Sequence, residues 1–197
     1  MALPACVVLL SMVAVCAAPE AVFCGGAGTT IDGVPALSGT RVFVPSVLRT
    51  PKGQFSELLL PGNSIRLLED SGSRYLGNRM ELLTGGVTLN TKTGFSVESG
   101  CMTATPDSKD AAHYTVQVLQ KTVYVSVLEG EIAVRSQKSV RVKAGRTVAV
   151  FCGLPKQEIV FAGNNLPAKV IMGAAAAATP LALLPKSDMS AEGPSRQ

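Results

Sequence analysis

The side chains that could do chemistry are few, and their densest group is basic. Five cations follow one another without an intervening acid: Arg135, Lys138, Arg141, Lys143 and Arg146. In an extended chain Arg141 and Lys143 share one face, because side chains alternate with a period of two. Lys and Arg often guard exposed strands against edge-to-edge pairing, and this role is favoured over a dedicated anionic-ligand site. We take the five residues as a candidate contact surface.

Catalytic and metal-binding patterns are weak by comparison. His113 is the only histidine, so multi-histidine metal sites are ruled out, and no GxSxG motif supplies a nucleophile. Glu129 and Glu131 flank Gly130, where carboxylates are more often solvated than paired around a substrate. A polysaccharide hydrolase stays the least favoured hypothesis. We expect a non-enzymatic protein without a cofactor or a metal.

Cysteine usage leaves the pairing open. If an export signal is removed before residue 24, Cys24, Cys101 and Cys152 remain. A bridge between Cys101 and Cys152, with Cys24 free, is one of the three options that an odd count allows. No pair has CxxC spacing, which disfavours a redox or metal site.

Both ends of the chain are apolar. Residues Ala5 to Ala18 have the length of a signal-peptide core and are too short to span a membrane. We therefore assign 1–21 to an export signal, cleaved after Ala18 or Ala21, although no Lys or Arg precedes the apolar run. Cys16 and Cys24 follow residues that suit lipoprotein processing poorly.

Towards the other end, residues 166–185 form an apolar, Ala-rich segment and 186–197 a polar tail. The apolar run from Val170 to Leu184 would rise only about 22 Å as a helix, against a hydrocarbon core of about 30 Å. A short membrane anchor flanked by Lys169 and Lys186 and a surface or linker segment are both open.

The composition excludes several classes of protein. The chain has 197 residues, 47% of them hydrophobic, a formal net charge of +4 and no Trp. It is too apolar for a disordered chain, and its charge is too small and too dispersed to predict nucleic-acid binding.

Between Thr29 and about Val160, short β-branched runs alternate with Gly, Pro, Asn, Asp and Ser. This pattern predicts an all-β fold, an antiparallel β-sandwich that is jelly-roll-like or solenoid-like, over residues 22–165. Glycines recur between extended segments, and we expect hairpin turns rather than phosphate loops near Gly62, Gly85 or Gly86, Gly130 and Gly145.

The order of these segments resembles the FecR-type domain of bacterial cell-envelope proteins. The resemblance covers about residues 30 to 152 and consists of apolar strands that run into Gly turns. The matching positions are Leu59, Leu60, Gly62, Leu83, Gly86, Val125, Val127, Gly130, Val134, Val142 and Gly145.

The resemblance implies a β domain outside the cytoplasmic membrane. Full-length regulators of the family join such a domain to a cytoplasmic segment that controls a sigma factor. Only about twenty residues precede Val22 here, so a stand-alone FecR-like protein, periplasmic or membrane-associated, is expected instead of a sigma-factor relay. The expected partner is an envelope protein or a cell-wall component.

An alternative function is carbohydrate or peptidoglycan binding. Sugar platforms stack rings on exposed aromatic side chains, and the residues that would carry this role are Tyr75, Tyr114 and Tyr124. Burial of these side chains would remove the idea.

Overall fold

The computed structural model describes residues 21–107, 111–153 and 158–161. Most of the predicted export signal, the apolar segment 166–185 and the tail 186–197 lie outside these residues. Within them the chain forms strands and no helix. In chain order the strands are β1 (Ala21–Gly25), β2 (Thr30–Ile31), β3 (Val34–Pro35), β4 (Arg41–Val42), β5 (Ser46–Thr50), β6 (Ser56–Leu60), β7 (Asn63–Leu67), β8 (Ser71–Tyr75), β9 (Arg79–Thr91), β10 (Ser96–Ser99), β11 (Met102–Pro106), β12 (Ala112–Leu119), β13 (Thr122–Glu129), β14 (Glu131–Arg135), β15 (Ser139–Lys143), β16 (Thr147–Phe151) and β17 (Glu158–Phe161).

The strands form two sheets that share β9. Sheet I has the order β4-β1-β6-β7-β9-β12-β13-β16-β17, and sheet II has the order β3-β2-β5-β8-β9-β10-β11-β14-β15. Every pairing described is antiparallel except that of β9 with β10. The predicted all-β sandwich is confirmed, and from β5 onwards the strand order in each sheet rises along the chain.

The core lies between the sheets and follows the period of the strands. In β13, Val123, Val125 and Val127 are buried, whereas Leu128 is exposed. Side chains of both sheets join one buried cluster, which includes Leu58 of sheet I. Valine suits these positions because its branched side chain packs well on a pleated surface. The buried side chains of β13 therefore follow the alternation of an extended strand.

The predicted hairpin turns are right at one glycine and wrong at three. Gly62 closes the β6–β7 hairpin within sheet I. Gly130, by contrast, joins β13 of sheet I to β14 of sheet II, and Gly145 joins β15 of sheet II to β16 of sheet I. Gly85 lies inside β9, where that strand leaves one sheet for the other. These three glycines form corners because the chain changes sheet at each of them.

A disulfide between Cys101 and Cys152 ties the two sheets together. Cys101 lies between β10 and β11 of sheet II, and Cys152 directly follows β16 of sheet I, with 5.6 Å between their Cα atoms. Cys24 of β1 is free and half-buried. The structure thus selects one of the three pairings that the sequence left open. A crosslink between residues so far apart in sequence stabilises the fold chiefly by restricting the unfolded chain.

Two of the three tyrosines belong to the core. Tyr75 and Tyr114 are fully buried, and the Tyr114 hydroxyl donates a hydrogen bond of 2.8 Å to the carbonyl of Phe95. Burial raises the pKa of both phenols, because the ionised form would lose its hydration. Neither ring is available to stack on a sugar, and only Tyr124 retains a half-exposed side chain.

The crossing of β9 depends on close backbone packing. Gly85 has a φ of 75°, and a Cβ there would lie 2.6 Å from the Asp70 carbonyl oxygen and 2.7 Å from Ser71 Cα. The Ser71 hydroxyl accepts a hydrogen bond from the Gly86 N–H at 2.9 Å and donates one to the Gly86 carbonyl at 3.0 Å. The crossing therefore excludes a side chain at residue 85 by conformation and by space.

We predict that Gly85→Ala lowers the free energy of unfolding by about 2–4 kcal/mol, since backbone strain and overpacking add. Gly94→Ala is the matched control, because Gly94 also has a positive φ, of 78°, but nothing lies within 4 Å of its absent Cβ. The control should lose only about 1 kcal/mol. Urea unfolding of the full chain measures both, and equal losses would show that close packing at the crossing is unimportant.

We also predict that Tyr114 makes the fold sensitive to alkali. The folded chain keeps this phenol protonated, whereas the unfolded chain ionises it near pH 10, so its contribution is present below about pH 10 and is lost as pH rises further. Tyr114→Phe should cost about 1 kcal/mol at neutral pH, because the Phe95 carbonyl loses its donor. Denaturant titrations between neutral and alkaline pH should show a shallower alkaline decline in the variant. Parallel declines would contradict the assignment.

Candidate functional site

The basic run predicted from the sequence includes strand β15, which lies at the edge of sheet II. Among the described residues β15 pairs only with β14. Val142 points into the core, while Arg141 and Lys143 are exposed on the outer face, as the period of two predicted. The candidate site consists of the outer face of β15 and the corner that follows this strand.

Three of the five predicted residues meet at one cavity. Arg141 and Lys143 of β15 and Arg146 of the following corner line a cavity of about 680 Å³, together with Glu131 and Phe161. Glu131 lies opposite Lys143 on β14, and Phe161 belongs to β17, the edge strand of sheet I. The cavity therefore lies where the last strands of the two sheets come close to one another.

The other two predicted residues lie elsewhere. Arg135 ends β14 and lines a second cavity of about 460 Å³, which also includes Glu81 and Glu98. Lys138 is exposed in the turn between β14 and β15. The sequence run therefore divides into a group at the cavity and two cations towards the far end of the β14–β15 hairpin.

One ion pair joins β15 to the residue that follows β11. Arg141 Nη1 lies 3.0 Å from Asp107 Oδ2, and the Arg141 side chain is 69% exposed against 24% for Asp107. So exposed a pair stabilises the fold by well under about 1 kcal/mol. Its effect is to orient the guanidinium along the outer face, beside the end of β11. Asp107 N–H also donates a 3.0 Å hydrogen bond to the Glu131 carbonyl, which extends the β11–β14 pairing.

Cations exceed carboxylates at this site. Arg141, Lys143 and Arg146 face Glu131 and Asp107, which leaves a formal charge of +1 for the group. Elsewhere on the outer face of sheet II, Arg74 pairs with Glu81 at 3.0 Å and Arg79 with Glu98 at 3.2 Å, while Arg49 and Arg135 add further positive charge. The three cations that line the cavity would attract an anionic group.

Sequence reasoning missed Asp107 and Phe161, and it did not assign Glu131 to this site. Asp107 follows β11 and reaches Arg141 only because β11 and β15 flank β14. Phe161 comes from the opposite sheet and is 56% exposed. No local pattern links either residue to the basic run, and only knowledge of the strand order could have found them.

The other candidates from the sequence are the single histidine, a possible metal site and the apolar C-terminal run. His113 lies in β12, half-buried between Asn90 and Glu129 of the neighbouring strands. Among residues 21–107, 111–153 and 158–161, no three His, Cys, Asp or Glu side chains are grouped to hold a metal. Within the same residues no helix is long and apolar enough to cross a membrane. The run from Val170 to Leu184 lies outside them.

Comparison with known proteins identifies the fold and no family. No protein-family model matches the chain, and no curated protein matches it. Two crystal structures of proposed anti-sigma factors from Parabacteroides distasonis ATCC 8503 are similar. One, at 16% identity, covers 61% of this chain and 60% of that chain with a TM-score of 0.52. The other, at 18% identity, covers 59% of both chains with a TM-score of 0.51. The chain thus spans about three fifths of these proteins, and the likeness shows a shared fold.

Proposed function

We propose that the chain is a non-enzymatic, FecR-like β domain of the cell envelope that works by binding a protein or cell-wall component through the β15 edge. The observation that carries this proposal is the open edge strand with a basic outer face. Edge strands offer unpaired backbone groups, which partner proteins use in strand addition. The charged side chains then select among partners.

One feature supports export of the chain, and a second one bears on the position of signal cleavage. The Cys101–Cys152 disulfide fits an oxidising compartment, because such bonds are rare in the reducing cytosol. Ala21 is fully buried and pairs with Val42 at the start of β1. Cleavage of the predicted signal after Ala18 would keep this contact, whereas cleavage after Ala21 would remove it, so the earlier site is favoured.

Among the roles that such a contact could have, we favour envelope signalling. The order of the Gly-turn segments resembles the FecR-type domain, and the two similar structures are described as proposed anti-sigma factors. Both observations concern proteins that take part in regulation. Sugar binding through the three predicted tyrosines has less support, since Tyr75 and Tyr114 are buried and only Tyr124 is half-exposed.

We predict that the double substitution Arg141→Glu and Lys143→Glu abolishes capture of the envelope partner. Charge reversal at the exposed edge replaces attraction by repulsion and leaves the core unchanged, because Val140 and Val142 face inward. In-cell crosslinking of the epitope-tagged full chain, followed by fractionation and mass spectrometry, measures the captured partner. The loss should be at least about tenfold.

Lys92→Glu, which reverses one charge rather than two, is the control for charge reversal away from β15. Lys92 is exposed in the connection between β9 and β10, distant in the strand order from β15. The control should keep the partner. Recovery of the chain in the cytosol with residues 1–21 intact and no envelope partner would overturn the proposal, and so would unchanged capture by the double variant.

A further inference from the structure

Strand β15 is the longest open edge of the described sandwich. Sheet I ends in β4 and β17, and sheet II ends in β3 and β15. The strands β3 and β4 have two residues each and β17 has four, whereas β15 has five. A strand of ordinary length could therefore pair best at β15.

The direction of the backbone groups on β15 follows from its neighbours. The Glu131 carbonyl accepts from Asp107 N–H and so points towards β11, while the Gly130 carbonyl accepts from Ala144 N–H at 3.0 Å. In an antiparallel pair, hydrogen-bonded and non-hydrogen-bonded positions alternate. Val140 and Val142 therefore bond to β14, opposite Val134 and Ile132.

The backbone groups of the remaining β15 residues point to the open side. These are the N–H and carbonyl of Ser139 and Arg141 and the N–H of Lys143, since the Lys143 carbonyl accepts from Arg146 N–H at 3.1 Å. A residue paired with Arg141 could exchange two backbone hydrogen bonds with it. Outward N–H and carbonyl groups therefore recur at every second residue of β15, which is the spacing at which an added strand forms hydrogen bonds.

The side chains of β15 define what such a strand must carry. A residue directly opposite Arg141 would place its side chain on the same outer face, about 5 Å away between Cβ atoms. Its neighbours along the added strand would point the other way, beside half-buried Val140 and the core. The added strand should therefore alternate between residues that suit a cationic face and residues that suit an apolar one.

Charge decides which outward residues fit. A second copy of β15 would place Arg and Lys opposite Arg and Lys, and like charges directly opposite are destabilising. Acidic side chains would instead meet Arg141 and Lys143, in a cavity that Arg146 also lines. The charge of β15 thus disfavours pairing with a second copy of the strand and favours pairing with an acidic segment.

We propose that β15 accepts an added strand in which acidic and apolar residues alternate, the acidic ones lying over Arg141 and Lys143. This inference rests on the proposed function, for which it names the chemistry of the partner segment. The partner is an extended, acidic segment of a protein. An acidic polymer that is not a peptide lacks the backbone N–H and carbonyl groups with which β15 would pair.

The direct test uses end-capped synthetic peptides of about seven residues, a typical strand length. One alternates Val and Glu, a second has the same composition with the glutamates in one block, and a third alternates Val and Lys. Binding to the oxidised full chain is measured by calorimetry. We expect the alternating acidic peptide to bind at least about tenfold more tightly than either control peptide.

Two variants separate backbone pairing from charge. Arg141→Ala removes the guanidinium and keeps the outward N–H, whereas Arg141→Pro also removes that N–H, which β14 does not use. Proline is tolerated at edge positions of this kind. We expect binding to weaken about threefold for Ala and at least about tenfold for Pro. Circular dichroism and the thermal midpoint report whether the proline variant is folded.

Hydrogen exchange on the unchanged chain gives an independent readout. Peptide binding should slow exchange at the amides of Ser139, Arg141 and Lys143, with little change at Val140 and Val142, which are already bonded. Equal binding of the alternating and blocked peptides, or no selective protection, overturns the inference.

The inference and the proposed function fail in different ways. If charge reversal abolishes partner capture but the peptide gives no selective protection, the contact is made by side chains, so the strand inference falls while the proposed function stands. If the peptide pairs with β15 but the cell yields no envelope partner, the proposed function falls and the chemistry of the edge stands.

Discussion

The two sheets depend on the single strand that belongs to both of them. Strand β9 pairs with β8 and β10 through its first part and with β7 and β12 through its second. The change occurs at Gly85, where the backbone takes a positive φ against the chain at Asp70 and Ser71. A side chain at this position would separate the sheets where they are joined. The join between the two sheets therefore depends on a residue that contributes no apolar surface to the core.

Glycine also occurs in two different kinds of connection, the hairpin turn within a sheet and the corner between sheets. Within a sheet, Gly62 lets two strands turn back on each other. At Gly130, the chain passes so close to the Ala111 carbonyl that a Cβ would lie 2.9 Å from it, and the next strand begins in the opposite sheet. A positive φ is common to both, whereas the destination of the chain is set by the apolar faces that follow.

The sequence predicted the fold class because the fold class depends on the alternation of neighbouring residues. Val123, Val125 and Val127, which share one face of β13, are buried. The sequence could not distinguish hairpins from corners, since a Gly between two extended segments is compatible with both. For the candidate site, alternation placed Arg141 and Lys143 on one face, but Asp107 and Phe161 reach it only through the strand order. Such long-range neighbours leave no local trace.

The strand order of each sheet rises along the chain from β5 to the end, so the sandwich can be assembled from its amino-terminal side. Each new hairpin finds an edge that earlier residues have already built, first in one sheet and then in the other. A chain that is synthesised from its amino terminus could therefore fold without waiting for its last residues. Among the described strands, the last to be added at an edge are β15 and β17. A strand bound at β15 would then continue the building sequence of sheet II with a piece of another molecule.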